Sequence, residues 1–181
     1  IVPEALPDYA SSAVGKWHLA RGSSEPQDHP NDSGFQHYAG GLGGGVGDYF
    51  SWTKVVDGQS SVSTTYATTD TADEAIAAVL AMPEPWFLYV AFNSPHAPFH
   101  VPPQSLHTRG HPTTTAGQHE AMSEAMDTII GRLLDTVDLD TTFVFVIGDN
   151  GSPGETVVAP FQPTRAKGSV YEGGVRVPFI V

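Results

Sequence analysis

Residues 141–147 read Thr-Thr-Phe-Val-Phe-Val-Ile and are followed directly by Gly148-Asp149-Asn150-Gly151. An unbroken apolar run of this length, rich in β-branched side chains, predicts a buried strand at the centre of a sheet. Upstream, residues 118–137 carry apolar side chains at helical spacing, which predicts an amphipathic helix. A helix followed by a fully apolar strand is typical of a sheet that is covered by helices.

Two further apolar runs precede this pair. Residues 11–17 predict a short buried strand, and residues 86–92 predict a longer one. Between them, residues 70–82 show helical spacing and stop before Pro83. The alternation predicts an α/β protein with a mostly parallel central sheet flanked by helices. Ligands of such sheets gather at the carboxyl ends of the strands, where the polar clusters of this sequence lie.

Residues 20–58 differ in composition, because they are rich in Gly, Ser, Asp, Pro and His. At their centre stands Gly40-Gly41-Leu42-Gly43-Gly44-Gly45-Val46-Gly47. These glycines lack the Lys-Ser/Thr pair of a phosphate-binding P-loop, so a flexible surface loop is favoured over a phosphate cradle. Such a loop could shape a substrate cleft.

Composition narrows the classes of partner. The 181 residues include 20 acidic and 8 basic side chains, and the formal net charge of -12 disfavours nucleic acid or an anionic membrane. No apolar stretch reaches about 18 residues, so no transmembrane helix is encoded here. The absence of cysteine excludes disulfides and a Cys-based zinc site within these residues. Of the three lysines, Lys16 and Lys167 lie in polar clusters, as an anionic substrate would require.

Asp149 and Asn150 are candidate metal ligands. A carboxylate and a carboxamide at the end of a strand offer two hard oxygens suited to calcium or magnesium. An ordinary Asp-Asn-Gly turn explains the same residues equally well on local sequence alone.

Lys16, His18 and His96 are candidates for binding or proton transfer. Lys16 and His18 are two residues apart, so their side chains share one face of an extended segment. A surface lysine and a structural histidine are the alternative for that pair. His96 lies between Pro95 and Pro98, a constrained loop that suits a general acid, or a histidine bonded to a backbone carbonyl. We expect His100, His107, His111 and His119 to be of the carbonyl-bonded kind.

Lys167 is the remaining candidate cation. It precedes Gly168, and Glu172-Gly173-Gly174 then leads through Arg176 into an apolar run at 177–181, which predicts a last buried strand. Glu172 and Arg176 are expected to pair structurally, in preference to contacting substrate.

Taken together, four clusters resemble the sulfatase family. They occur in the family's order, and they are listed here as they stand: Gly15-Lys16-Trp17-His18-Leu19, Pro95-His96-Ala97-Pro98, Gly148-Asp149-Asn150-Gly151 and Arg165-Ala166-Lys167-Gly168-Ser169-Val170-Tyr171-Glu172-Gly173-Gly174-Val175-Arg176-Val177-Pro178. One such cluster would be a weak signal, but four span nearly the whole chain. The resemblance implies an alkaline-phosphatase-like fold.

The resemblance also implies roles for individual residues. Lys16 would contact the nucleophile and the sulfate, and His18 would act as a base in turnover of the covalent intermediate. His96 and Lys167 would act at the leaving-group oxygen, with Lys167 also holding the sulfate. Asp149 and Asn150 would bind Ca2+, with Mg2+ less favoured.

Two family motifs are missing from the sequence. Sulfatases carry an Asp-Asp pair and a Cys/Ser-x-Pro-x-Arg motif whose Cys or Ser becomes formylglycine, and neither occurs in these 181 residues. We therefore expect residues 1–181 to be the central part of a sulfatase catalytic domain, truncated at both ends. Alone they are expected to be inactive and, with two of four metal ligands, to bind metal poorly.

The expected activity of the parent protein is sulfate-ester hydrolysis through formylglycine. A phosphate- or phosphonate-ester hydrolase of the same superfamily is the first alternative, and a non-catalytic sulfate-binding homologue is the second. The expected partner is a sulfated small molecule or sulfated polysaccharide. The resemblance suggests a periplasmic or extracellular location.

Overall fold

The computed structural model describes residues 2–19 and 26–181. The strands, numbered in chain order, are β1 Ala10–Lys16, β2 His37–Gly41, β3 Trp52–Val56, β4 Gln59–Ser63, β5 Trp86–Ala91, β6 Val146–Ile147 and β7 Phe179–Ile180. The α-helices are α1 Val2–Ala5, α2 His29–Asp32, α3 Ala67–Ala81, α4 Thr115–Leu134 and α5 Glu172–Val175. Short 3-10 turns occupy Gln104–Leu106, Gly154–Thr156 and Pro163–Arg165. No helix in the described ranges has both the length and the apolar character needed to cross a bilayer.

Five strands form one sheet in the order β4-β3-β2-β1-β5. β1 runs parallel to β2 and β5, whereas β3 is antiparallel to both β2 and β4. Asp57 and Gly58 have φ angles of 44° and 78°, which suit the tight turn that joins β3 to β4. The predicted α/β sheet flanked by helices is confirmed, and this hairpin makes the sheet mixed.

The two faces of the sheet are covered differently. On one face, Val14 and Ala39 pack with Ala75 of α3 and Leu133 of α4. The other face carries a second set of buried side chains, which is Ala13, Trp17, Phe35, Tyr38 and Val55. Adjacent residues 13 and 14 therefore point to opposite faces of a strand that is buried on both sides, as its apolar run predicts.

The two long helices confirm the helical predictions with shifted starts. α3 begins at Ala67, three residues before Asp70, because the carboxylate of Asp70 bonds to Lys54 and Ser63 and does not cap the helix. α4 begins at Thr115, and the Thr114 side chain accepts a hydrogen bond of 3.1 Å from the backbone N–H of Gly117. That contact is an N-cap, and it satisfies a donor that the helix itself leaves free.

The prediction of a buried central strand at 141–147 is wrong. Only Val146–Ile147 is a strand, and its partner is Phe179–Ile180 in a separate two-stranded antiparallel sheet. Phe143 is 87% exposed, and the expected last buried strand at 177–181 is exposed as well. The run is exposed because it does not join the main sheet. Among the described residues, β6 pairs only with β7 and lies beside neither β1 nor β5.

The interpretation of the glycine-rich segment as a surface loop is also corrected. Residues 37–41 form β2 inside the main sheet, and Tyr38 and Ala39 are each only 1% exposed. A Cβ atom on Gly40 would lie 2.0 Å from the carbonyl oxygen of Gly15, so the glycine is required for the close approach of β1 and β2. Small residues in this stretch reflect tight strand packing as well as loop structure.

Candidate functional site

Lys16 stands at the carboxyl end of β1, next to the loop that follows β6. Its Nζ atom lies 3.8 Å from Oδ2 of Asp149, with the lysine side chain 19% exposed and the aspartate side chain 75% exposed. Gly15 directly before it has a φ of 90°, and a Cβ atom there would meet the Ala91 carbonyl oxygen at 2.0 Å. Only glycine allows β1 to end in this way beside β5.

His18 continues from β1 on a left-handed backbone. Its φ angle is 53°, an uncommon value for a residue other than glycine. The His18 backbone N–H donates to the carbonyl oxygen of Leu42 at 3.1 Å, which extends the contact between β1 and the segment after β2. The imidazole itself is exposed and lies against Gly44. Such a strained residue is held in place by its surroundings.

His96 lies in the loop after β5 and is fixed by three hydrogen bonds. Its backbone N–H donates to the carbonyl of Asn93 at 2.9 Å, and its own carbonyl accepts from the Tyr49 hydroxyl at 2.8 Å. Nδ1 lies 2.9 Å from the carbonyl oxygen of Ala97. Because a carbonyl oxygen only accepts, Nδ1 carries the proton and Nε2 is left for a ligand. Burial raises the pKa of Tyr49, so its hydroxyl remains a donor.

Two neighbouring glycines each lie against one of the imidazoles. Gly44 faces the ring of His18, and Gly45 faces the ring of His96. The rings therefore lie beside consecutive residues of one segment, although the histidines are 78 positions apart in the sequence. Ordinary sequence signals do not reveal this relationship, because glycine repeats also predict plain flexible loops.

Lys167 is joined to the Asp149 loop through the backbone. The Lys167 N–H donates to the carbonyl of Ser152 at 3.0 Å, and the Gly151 N–H donates to the carbonyl of Gly174 at 3.0 Å. The lysine side chain is exposed. Within the described residues, no hydrogen bond or ion pair joins Lys167 to His96. The structure thus links Lys16 to Asp149 and Lys167 to the loop of Asp149, and it places His18 and His96 against the adjacent residues Gly44 and Gly45.

Sequence comparison identifies the family to which this chain belongs. The family model described as Sulfatase matches residues 6–181. The chain belongs to the sulfatase family. It is 30% identical to an N-acetylgalactosamine-6-sulfatase of Sus scrofa, a match that covers 99% of the chain and 39% of that protein. An uncharacterized sulfatase of Escherichia coli, YdeN, is 25% identical over 96% of the chain and 36% of its own length.

Solved structures agree with this family assignment. Ps i-CgsB in complex with k-i-k-neocarrahexaose superimposes with a TM-score of 0.83 at 27% identity, over 98% of the chain and 46% of that structure. A protein solved with D-glucosamine-2-N,6-O-disulfate has a TM-score of 0.70 at 19% identity, over 98% of the chain and 54% of its own, which shows the shared fold. The alkaline-phosphatase-like fold is therefore confirmed, and the sulfatase chain spans less than half the length of the curated relatives it matches.

Asp149 and Asn150 are chemically suited to bind calcium, but two residues supply too few ligands for a complete site. Both side chains offer hard oxygens, whereas calcium takes about six to eight oxygen ligands. Within residues 2–19 and 26–181, no group of three or more His, Cys, Asp or Glu side chains is placed to hold a metal. The exposed carboxylate of Asp149 instead faces Lys16. These two residues fit only as part of a calcium site.

The predicted ion pair of Glu172 and Arg176 and two predicted carbonyl-bonded histidines are present in the structure. Nη1 of Arg176 lies 3.7 Å from Oε2 of Glu172, so the expected ion pair is present on an exposed surface. His100 Nδ1 bonds to the Pro98 carbonyl at 2.8 Å, and His107 Nε2 bonds to the Pro102 carbonyl at 3.1 Å. The prediction that these two histidines bond to backbone carbonyls is confirmed.

Sequence reasoning missed the role of Lys54, the lysine outside the motifs. Its Nζ bonds to Asp70 at 2.5 Å and to Glu74 at 2.6 Å, and Ser63 donates to the same Asp70 at 2.7 Å. Burial lowers the pKa of Lys54, but the bonds to the two carboxylates outweigh burial and raise it. This network ties β3 to α3 and is structural. The signal available from sequence was only the acidic spacing of residues 70 and 74 on a predicted helix.

Proposed function

We propose that the whole protein hydrolyses sulfate esters. The observation that supports this proposal best is the proximity of Lys16 to Asp149, next to a segment whose two glycines contact His18 and His96. Cleavage of a sulfate ester needs cations for the dispersed negative charge and a proton for the departing oxygen. This arrangement offers both.

Lys16 and Lys167 are the cations that would hold the sulfate group. Lys16 is mostly covered, so its ammonium loses little further solvation when an anion replaces water beside it. Lys167 has an exposed side chain, and its backbone is bonded to Ser152, three residues after Asp149. On a chain with a formal charge of -12, such local positive charge is what attracts an anionic ester.

His96 is the proposed general acid. Its Nδ1 proton is committed to the carbonyl of Ala97, so only Nε2 can deliver a proton to the ester oxygen. The backbone bonds to Asn93 and Tyr49 fix the loop that carries it. A fixed imidazole loses little entropy when it meets the leaving group.

His18 is the proposed base of the second half of the reaction, after the alcohol has left. The ring is exposed and lies beside Gly44, one residue from the glycine that faces His96. A nucleophile is required in addition, and formylglycine supplies it in this family. The 181 residues contain neither cysteine nor a Ser-x-Pro-x-Arg motif, so no step through that group is derived from this chain.

Calcium and the substrate belong to the same proposal. Asp149 and Asn150 would contribute oxygens to a calcium ion, completed by ligands outside the described residues. The similarity to N-acetylgalactosamine-6-sulfatases and to Ps i-CgsB, which was solved with k-i-k-neocarrahexaose, favours a sulfated saccharide. A periplasmic or extracellular location would match a sulfated polysaccharide.

The test is an assay of the whole protein on 4-nitrophenyl sulfate and 4-nitrophenyl phosphate, with and without the Lys16→Met substitution. We expect a higher kcat/KM for the sulfate ester, and a large loss of that value in the variant. Faster hydrolysis of the phosphate ester would favour the phosphate-ester alternative. No turnover, together with sulfate binding and a nucleophile position that is neither Cys nor Ser, would favour the non-catalytic homologue.

A further inference from the structure

Gly44 lies so close to the His18 ring that no side chain fits between them. A Cβ atom at Gly44 would be 2.6 Å from both Cε1 and Nε2 of His18 and 3.0 Å from Cδ2. Carbon atoms in good contact are separated by about 3.5–4.0 Å, so any side chain at residue 44 must displace the imidazole.

Gly45 has the same relation to His96, with a smaller overlap. A Cβ atom there would be 3.1 Å from Nδ1 and 3.3 Å from Cε1 of His96, and 3.9 Å from the carbonyl oxygen of Ala97. The ring would have to move by a few tenths of an ångström. Nδ1 is also the atom that bonds to Ala97, so this movement would disturb the bond that fixes the proton.

Neither imidazole can retreat together with its backbone. The His18 N–H is held by the carbonyl of Leu42, and the His96 N–H is held by the carbonyl of Asn93. The available response is therefore a rotation of the side chain, which changes where the ring nitrogens point. For the exposed ring of His18 this rotation can be large without a large loss of stability.

Backbone conformation does not explain why residues 44 and 45 are glycines. Both have φ angles outside the left-handed range, as do Gly43 and Gly47 of the same segment. A left-handed φ therefore does not oppose alanine at any of the four positions. The neighbours differ, because a Cβ at Gly43 would meet only the Gly45 carbonyl at 3.6 Å, and at Gly47 it would meet nothing within 4 Å.

We propose that Gly44 and Gly45 are positioning residues, Gly44 for the imidazole of His18 and Gly45 for the imidazole of His96. The glycine-rich segment is then a spacer with two contact points that sets the two proton-transfer groups independently. The kinetic part of this inference rests on the proposed function. The placement part rests on geometry alone.

The experiment compares Gly44→Ala and Gly45→Ala in the whole, formylglycine-bearing protein with the matched controls Gly43→Ala and Gly47→Ala. NMR of protein labelled with [13Cε1]histidine reports ring placement, with His18→Gln and His96→Gln used to assign the signals. We expect Gly44→Ala to shift the His18 signal only, and Gly45→Ala to shift the His96 signal only. The two controls should shift neither.

Kinetics provide a second readout, because a merely structural role of the two glycines would not slow different steps in the two variants. A displaced catalytic group typically costs up to about 100-fold in rate. Gly44→Ala should keep a rapid first release of alcohol and slow the later turnover. Gly45→Ala should slow the first release, more for a sugar sulfate than for 4-nitrophenyl sulfate.

The outcomes distinguish this inference from the proposed function. Selective ring shifts, with turnover unchanged in these variants and in His18→Gln and His96→Gln, would uphold the placement and refute the function. Impaired histidine variants with unmoved rings in the glycine variants would overturn the inference. If Gly44→Ala is poorly folded, adding His18→Ala should restore folding by removing the clash, and a failure to restore it would overturn the inference as well.

Discussion

Nζ of Lys16 lies 3.8 Å from Oδ2 of Asp149, so the end of β1 and the loop after β6 present opposite charges to one another. The two residues are 133 positions apart in the sequence. The proposed sulfate-binding cation and the proposed metal-binding carboxylate are thereby neighbours. If both roles hold, Lys16 and the metal ion compete for the carboxylate of Asp149, which gives a directional prediction.

Replacement of Asp149 and of Lys16 should change calcium affinity in opposite directions. In the whole protein, Asp149→Ala removes an oxygen ligand and should weaken calcium binding strongly. Lys16→Met removes a positive charge beside that ligand, and should strengthen binding slightly, on the scale of an exposed charge interaction of about 0.2–1 kcal/mol. Isothermal titration calorimetry with calcium measures both. Equal weakening in the two variants would show that Asp149 and Lys16 do not compete in this way.

Lys54→Met should destabilise the fold far more than a matched change at an exposed ion pair. Its side chain is 13% exposed and Asp70 is 7% exposed, so the substitution leaves a buried carboxylate without its cation. Loss of one partner of a buried pair costs about 3–5 kcal/mol. Arg132→Met, whose pair with Asp73 is exposed, should cost about 0–1 kcal/mol. Denaturant unfolding measures both, and similar losses in the two variants would contradict the structural role of Lys54.

Acidification should destabilise the protein in part through His100. Burial lowers the pKa of this histidine below 6.5, and its two ring nitrogens bond to the Pro98 carbonyl and the Tyr66 hydroxyl. The unfolded chain therefore binds more protons, so the free energy of unfolding falls as the pH drops through about 6.5 towards the lower folded value.

His100→Gln should flatten this dependence below about pH 7. The pKa of His119 is lowered by burial too, so His119→Gln should flatten it further. Urea unfolding at a series of pH values gives the slope directly. A slope that is the same with and without His100 would show that this imidazole does not contribute.

The sequence correctly predicts the elements whose apolar periodicity matches the contacts they make in the fold. Residues 11–17 and 86–92 become β1 and β5, but only β1 is buried as predicted, because β5 lies at the edge of the sheet and stays partly exposed. Helices α3 and α4 follow from their periodicity, although each begins three residues earlier than predicted and also ends earlier. Local pattern and tertiary contact agree at these positions.

Pairing partners could not be predicted from the sequence. Residues 141–147 predict a central strand, yet Phe143, Phe145 and Ile147 are exposed and only residues 146–147 are paired. Burial of a strand depends on which strands lie beside it, and hydrophobicity alone does not specify that. Residues 37–41 were missed for the same reason. They form a central strand, although their glycines are typical of loops.

The sequence predicts the residues of the candidate site and their position at the carboxyl ends of the strands, but not which side chains contact one another. Its cations and imidazoles were identifiable from the four clusters, which lie near strand ends or in the loops that follow them. The close approach of Gly44 to His18 and of Gly45 to His96 depends on three separate segments meeting, which no local pattern encodes. How Lys167 and His96 share a substrate remains a prediction.

His96 and His18 are proposed to act at different steps of the reaction, and pre-steady-state kinetics of the whole protein separates those steps. The measurement follows alcohol release by His18→Gln and His96→Gln from 4-nitrophenyl sulfate and from a sugar sulfate. With His18→Gln we expect a burst of about one alcohol per site followed by little turnover. With His96→Gln we expect no burst and a loss of about 10²- to 10⁴-fold for the sugar sulfate, but a much smaller loss for 4-nitrophenyl sulfate. Equal losses for both substrates in His96→Gln, or no burst in His18→Gln, would contradict the assigned roles.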